Sequence, residues 1–496
     1  MKISLLLALA LFLVIGASAH ASTNTQTRSL SLPDCIQIAL GHNLQIQITR
    51  YDPEIARREL RIATSAYEPT LNLSQRHSYD AAPGGLDEQN RPYPGTTSTA
   101  DSYSSTIASV LPSGTSVQVG GDYSSTAGQG VLLPFENASG ALGVSIRQPL
   151  LKNLWIDSTR LNIQLSRKQI KASELELRQE IMSVATQVEV AYYDLFQARQ
   201  NVNVQELAVS LAQRHVTDSE KRVAAGRQAR FEKNQAEAQV SSSKASLLAA
   251  QGAAASREFR LKGLLSDNFG DWEDVHIELS TSLLAPERAF NVGETVTRGL
   301  ALRPDFLRAK VQLEREGLTL KYARNQLYPQ VDLVASYGRM GTGPGFGDSW
   351  NEIKTGEKYG YSIGGVLTIP LGNRGARESY ANRKAIQEQS LLRFKKLEQD
   401  IIIQIRDSVQ QAQIAFARVD ATKQARTAAE AALQAEQKRF ENGQSTSFVL
   451  LQVQNALTQA RVAELGALAG YNVALAQLAL QEGTTLERHN INLQID

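Results

Sequence analysis

Two spacings of apolar residues alternate along this chain, and each occurs twice. In "TLNLSQRHSY" (70–79) and "QVDLVASYGR" (330–339) apolar side chains open on every second position. That period belongs to a strand with two unlike faces. "GALGVSIRQP" (140–149) and "YGYSIGGVLTIP" (359–370) read as later strands that lead into a different pattern. There Leu177, Ile181, Val184, Val188, Tyr192 and Leu195 step by threes and fours. Leu397, Ile401, Ile405, Val409, Ala412, Phe416 and Val419 do likewise. Such a seam predicts helices packed as coiled coils. No proline interrupts 156–225 or 375–442, so each helix would reach about 100 Å at 1.5 Å per residue. A helix that long has to be covered by other helices rather than by one globular core.

Proline and glycine punctuate these patterns. Pro69 and Pro329 separate helical segments (33–66 and 292–327) from alternating runs, since proline disfavours helix in the residue before it. Pro149 and Pro370 mark the return from strand to helix. Gly226 and Gly443 permit tight reversals into a second helix, because glycine accepts a left-handed backbone. The returning helices are rich in small residues, as in "ALTQARVAELGALAGYNVALAQLAL" (456–480), and alanine lets helices approach closely.

The symmetry is a tandem duplication. At an offset of 260 residues, Leu40, Leu60, Ala63, Pro69 and Leu73 fall on Leu300, Leu320, Ala323, Pro329 and Leu333. At an offset of 217, "KRVAAGRQARF" (221–231) falls on "KRFENGQSTSF" (438–448). "RQPLL" and "TIPLG" correspond between them. The reading is a first repeat over 22–265, with strands at 70–150 and a helical hairpin at 154–265. A joining segment follows at 266–290. The second repeat covers 291–496, with strands at 330–371 and a hairpin at 373–482.

Composition narrows the function. Aromatics make up 6% of the chain, which suits long helices better than a compact aromatic core. A net charge of +2 without a basic patch gives no reason to expect nucleic acid. Lys2, the apolar run 3–15 and the small residues ending Ala19-His20-Ala21 read as a signal peptide, 1–21, cut after Ala21 or Ala19. The single cysteine, Cys35, excludes a disulfide framework and stands too far along for a lipid anchor. No run of about 18 apolar residues predicts a membrane helix. A membrane-embedded form would therefore be a closed β-barrel. Strands near ten residues suit a tilted bilayer crossing. They would equally suit a soluble sandwich, and the helices alone would suit an ordinary antiparallel coiled coil. Bilayer-length strands joined directly to long hairpins, twice, favour the barrel. So few strands per chain require several copies to close it.

Enzymatic signatures do not appear. His42, His77, His215, His276 and His489 are scattered without metal spacing. "GTGPGFG" lacks the Lys-Ser or Lys-Thr of a phosphate cradle and reads with 340–350 as an exposed loop. The expectation is no enzyme, no cofactor and no metal.

With these features assembled, the mature chain resembles the TolC-like outer-membrane efflux ducts of Gram-negative bacteria. The resemblance rests on "ALxxN" at 39–43, "YEPTLNL" at 67–73, "RQPLL" and the "KRFENG" tip, in that order. It implies an α+β membrane protein: a homotrimer whose strands share one outer-membrane barrel, continuous with a periplasmic α-helical coiled-coil barrel. The joints would lie at Pro69, Pro149, Pro329 and Pro370. The tunnel would close at its tip, where a periplasmic adaptor docks and an inner-membrane pump supplies the energy. By similarity, Gly226, Arg227, Gly443 and Gln444 would face the adaptor. Arg222, Glu232, Arg439 and Gln452 are gate candidates, with a solvated helix face as the plainer role for the three charged ones. The family's acidic pair after the second tip falls here on Val449 and Gln452, which weakens the case for a cation-binding carboxylate ring.

A second departure is "YSSTIASVLPSGTSVQVGGDYSS" (103–125), which reads as an additional hairpin turning at Pro112-Ser113-Gly114. It either widens the barrel by two strands, folds outside the membrane or forms part of the exposed loop. The competing function is a secreted coiled-coil tether or adhesion protein without a conduit.

Overall fold

The computed structural model describes residues 26–130, 133–226, 229–280 and 283–491. The expected signal peptide and Arg227 lie outside them. By contact the chain forms two compact units, one of Met1–Leu44, Gln187–Pro286 and Ala415–Val473, the other of Gln45–Thr186, Glu287–Ile414 and Ala474–Asp496.

In chain order the elements are β1 (Gln26–Leu30), α1 (Leu32–His42), α2 (Leu44–Thr64), β2 (Thr70–Ala82), the short pair β3 (Gly85–Leu86) and β4 (Pro92–Tyr93), β5 (Thr96–Val110), β6 (Ser116–Gln129) and β7 (Pro134–Pro149). Helices α3 (Ser158–Ala224) and α4 (Arg230–Leu265) follow, then β8 (Val275–Leu279), α5 (Val292–Leu302), α6 (Pro304–Asn325) and β9 (Gln330–Gly343). The chain continues through α7 (Phe346–Thr355), β10 (Tyr359–Thr368), α8 (Arg374–Glu441), α9 (Ser447–Glu482) and α10 (Thr485–Arg488).

In the first unit β1 and β8 pair in parallel, and α1 starts on a reciprocal cap between Ser31 and Asp34. Cys35 is fully buried, and burial pushes its thiol up to about 12, so it serves as a packing residue. The seams read from sequence are the cores of the long helices. Ile181, Val184, Val188, Tyr192 and Leu195 on α3 are buried, as are Ile401, Ile405, Val409 and Ala412 on α8.

Helix α9 is long and apolar enough by composition to cross a bilayer, which a search for uninterrupted apolar runs overlooks. Packing accounts for much of that apolarity. Leu450 and Leu457 of α9 are buried against Leu433 and Phe440 of α8. Its Arg461 and Glu464 pair with Glu430 and Arg426 of α8.

The second unit carries one antiparallel sheet in the order β10-β9-β7-β6-β5-β2. The hairpin at 103–125 thus joins the sheet, as β5 and β6. Its register separates two faces. Leu71, Ile107, Val119, Val144, Tyr337 and Tyr361 form one row across all six strands. The adjacent row on the opposite face is Thr70, Ala108, Gln118, Ser145, Ser336 and Ser362. The apolar row stays exposed except for half-buried Val144, with Leu71 at 60% and Tyr361 at 73%. Edge strands β2 and β10 have no partner on their outer sides among the described residues.

The stretch 340–350, expected as an exposed loop, is instead the end of β9 and the first half of α7. Glycine misleads here because it serves close approach as well as flexibility. A Cβ on Gly341 would lie 1.9 Å from the Ser349 carbonyl, and one on Gly343 would lie 2.5 Å from the Asp348 Cβ. Bare backbone at both positions lets α7 lie on the sheet. Its Ser349 hydroxyl donates to the Ala138 carbonyl at 3.2 Å.

Candidate functional site

Both helical hairpins turn on a left-handed glycine, Gly226 at φ +68° and Gly443 at φ +71°. At the second turn the Gln444 N–H donates to the Arg439 carbonyl at 2.8 Å, closing the end of α8. A Cβ on either glycine would meet nothing within 4 Å, so backbone conformation alone demands the residue. Gly443→Ala is expected to lower stability by about 1–2 kcal/mol through the left-handed penalty. Thermal melting reads the loss, and Asn442→Ala, outside the left-handed region, should cost less.

The two turns are stitched together. Arg222, at the end of α3, stacks its guanidinium 4.3 Å from the Phe440 ring centre and donates to the Phe440 carbonyl at 3.4 Å. The Ser447 hydroxyl, opening α9, donates to Glu232 near the start of α4 at 3.0 Å. Further along, Gln239 of α4 donates to Asn455 of α9 at 3.1 Å. Of the gate candidates, Arg222 and Glu232 therefore bridge the hairpins. Arg439 does not: its side chain is 68% exposed and, among the described residues, reaches only Glu436 of its own helix, at 3.8 Å. Gln452 and Val449 are exposed on α9. Gln452 lines a groove of about 720 Å³ with Gln235, Gln239, Phe448 and Asn455. Glu430, which accepts from Arg461 and Arg426, is held below the usual carboxylate range first by the Arg461 hydrogen bond.

His215 lies beneath this junction. It is 5% exposed, its Nε2 has no hydrogen-bond partner among the described residues, and its ring centre stands 5.7 Å from that of Phe440. Burial holds its pKa below the ordinary 6.5, against the opposing pull of Asp218, with Arg222 lowering it further and Glu232 raising it. A base depressed in the folded state favours folding in its neutral form. The contribution is complete above pH 6.5 and is lost as pH falls through the depressed value. Hydrogen-exchange protection at the tips, relative to the intrinsic rate at each pH, should fall over that window, and His215→Phe should flatten the response.

The joints between strand and helix share a second polar arrangement. Pro69 and Pro329 directly precede β2 and β9, Pro149 ends β7, and Pro370 follows β10 by two residues. Beyond the latter two, Asn153 and Asn373 both adopt positive φ, 65° and 43°. Asn325 accepts from the Asn153 N–H at 2.8 Å, Gln326 donates to the Asn153 side chain at 2.7 Å, and Asn373 donates to the Leu327 carbonyl at 3.1 Å. Each left-handed asparagine thus fastens a helix start to the end of the helical segment that precedes β9. The usable sequence signal is an asparagine three or four residues beyond the strand-ending proline in each repeat. Among the described residues, no group of three or more His, Cys, Asp or Glu is placed to hold a metal.

The family profile described as "Outer membrane efflux protein" matches residues 116–266 and 296–484. The chain belongs to the outer membrane efflux protein family. It is 25% identical over 378 residues to the outer membrane efflux protein BepC of Brucella suis biovar 1 (strain 1330), covering 74% of this chain and 76% of that protein. Its fold is similar to the outer membrane channel CmeC of Campylobacter jejuni, with TM-score 0.66, 16% identity and coverage of 92% and 86%. It is also similar to the outer membrane protein VceC of Vibrio cholerae, with TM-score 0.66, 19% identity and coverage of 91% and 96%. The open-state MtrE channel of Neisseria gonorrhoeae gives TM-score 0.62, 19% identity and coverage of 92% and 89%. This efflux protein is an outer-membrane exit duct with a periplasmic helical part, and the family is one of channels rather than enzymes. Membership leaves the tether reading without support.

Proposed function

We propose that three copies close their six-stranded sheets into one outer-membrane barrel and gather their helices into a periplasmic tunnel. The observation that carries this reading is the two-faced sheet with a free strand at each edge. An exposed apolar face suits lipid, while the Ser- and Thr-rich face suits a watery lumen. Neither face nor edge is tolerable for an isolated chain. Helix α2 supports the same assembly, because Ile48, Tyr51, Ile55 and Ile62 form an exposed apolar stripe at helical spacing. A neighbouring copy would cover it.

In this reading a periplasmic adaptor docks around Gly226, Arg227, Gly443 and Gln444, using the groove beside Gln452. The inner-membrane pump chooses the cargo, small molecules or secreted polypeptides, and supplies the energy. The Arg222–Phe440 and Glu232–Ser447 contacts hold the tip shut. Three copies of this sheet give eighteen strands, a count at which barrels enclose an aqueous channel.

Reconstitution of the purified mature protein in planar bilayers tests the reading. Small, mostly closed conductances and a heat-sensitive trimer in detergent are expected. A water-soluble monomer carrying no current would overturn it. Deleting 96–129 removes one up-and-down pair and should exclude smaller polymers from the lumen than the intact protein does. An unchanged cut-off would place β5 and β6 outside the wall.

A further inference from the structure

Helix α7 lies on the apolar side of the sheet. Tyr103, Tyr123, Gly140 and Gly341 share one cross-strand row on that side, and α7 packs directly upon it. Phe346 meets Tyr123 edge-on at 5.1 Å, and Ile353 sits over Gly140, where a Cβ would approach its Cδ1 to 3.3 Å. Between helix and strands runs an open, predominantly apolar groove of about 510 Å³, lined by Leu73, Ser105, Tyr123, Leu142, Trp350 and Ile353.

Its position along the strands matters. On β9 that face runs from Val331, beside the joint, through Leu333, Ala335 and Tyr337 to Arg339 and Gly341, ten residues on. At about 3.3 Å per residue and the usual strand tilt this is about 25 Å, the height of a membrane barrel's apolar belt. The groove therefore opens at the far edge of the belt, where aromatic residues concentrate and acyl chains meet headgroups. Cations flank it. Lys354 stands 5.6 Å from the Trp350 ring centre, and the Arg339 guanidinium lies against Gly356 at the end of α7. Arg339 makes no ion pair among the described residues, whereas Lys358 is held by Glu352 at 2.7 Å.

We propose that α7 and the sheet beneath it form a binding site for one acyl chain of an anionic outer-leaflet lipid, with Arg339 and Lys354 at the phosphate. The site rests on the reading that the apolar face is the lipid face. The groove is continuous with the rows that face lipid, so a chain enters it without leaving hydrocarbon. A water-soluble ligand would have to cross that layer. The helix places Phe346, Trp350 and Ile353 along the groove and carries Lys354 in its last turn, while its Glu352 is paired with Lys358.

The test uses the full mature chain with Trp155 and Trp272 changed to Phe, leaving Trp350 as the only fluorophore of its type. In phosphatidylcholine vesicles, Trp350 should show about thirtyfold preference for mid-chain brominated phosphatidylglycerol over brominated phosphatidylcholine as quencher, the factor expected for two basic residues at about 1 kcal/mol each. Ser105→Phe, which fills the groove from an exposed strand position, should abolish that preference. Mass spectrometry should find phospholipid retained by the intact trimer and lost from this variant. Equal quenching by both lipids, or retention unaltered by Ser105→Phe, overturns the site. A tryptophan at position 361 in a chain otherwise free of tryptophan separates the two readings. If Tyr361→Trp is quenched while Trp350 shows no preference, the groove proposal falls and the barrel stands. If Tyr361→Trp is not quenched at all, the lipid-facing assignment falls and takes the groove with it.

Discussion

Arg147→Ala is expected to destabilise the sheet by about 3 kcal/mol, the lower end of what breaking a buried ion pair costs. Asp332 is 1% exposed on β9 and accepts from the Arg147 Nε at 2.8 Å and from Gln330 at 2.7 Å. Arg147 is half exposed, which tempers the attraction but leaves the consequence asymmetric. Removing the arginine strands a buried carboxylate with one neutral donor. Asp332→Asn keeps an acceptor for Gln330 and frees a cation that water already reaches, so it should cost about 1 kcal/mol or less. The double variant should recover most of the loss, giving a large coupling energy. Melting followed by circular dichroism reads all three. Equal costs for the two single variants would show that the pair is not held as described.

Arg222→Ala should open the channel. The variant loses a stacked guanidinium and a charged hydrogen bond to the Phe440 carbonyl, together about 2 kcal/mol. If that contact exists only in the closed tip, the closed-to-open ratio falls about thirtyfold. Single-channel records would then show long open dwells instead of brief ones. Arg439→Ala is the matched control, because among the described residues the Arg439 side chain pairs only with Glu436, at 3.8 Å. Identical traces for Arg222→Ala and the parent would remove the Phe440 contact from the gate while leaving the fold untouched.

Legibility followed the range of the interaction. The seams of α3 and α8, the glycine turns and the paired prolines obey rules acting over a few residues, and those rules are visible in one chain. The same rules misread 340–350, where glycine, proline and aspartate suggested a loop. Phe346, Trp350 and Ile353 already carried helical spacing there, but the purpose of Gly341 and Gly343 appears only once a helix lies across them. Arg147 and Asp332 are 185 residues apart, and no local pattern announces such a partner. The principal acceptor for Arg222 is a main-chain carbonyl, which any residue supplies, so the first tip gave no hint of what it grips. Unbroken apolar runs do not reveal α9, whose alanines and leucines serve close helix packing and whose Arg461 and Glu464 are spent on α8. For the extra hairpin, strand periodicity revealed β5 and β6 but not their neighbours, because register with β2 and β7 depends on pairing across the whole sheet.

The two unpaired edges of the sheet carry a consequence for biogenesis. If the sheet closes as proposed, a newly exported polypeptide cannot satisfy the backbone of β2 and β10 inside hydrocarbon until sister chains arrive. On that proposal insertion and oligomerisation become one concentration-dependent event, and a lone subunit waiting in the periplasm would be a sticky species rather than a half-built pore.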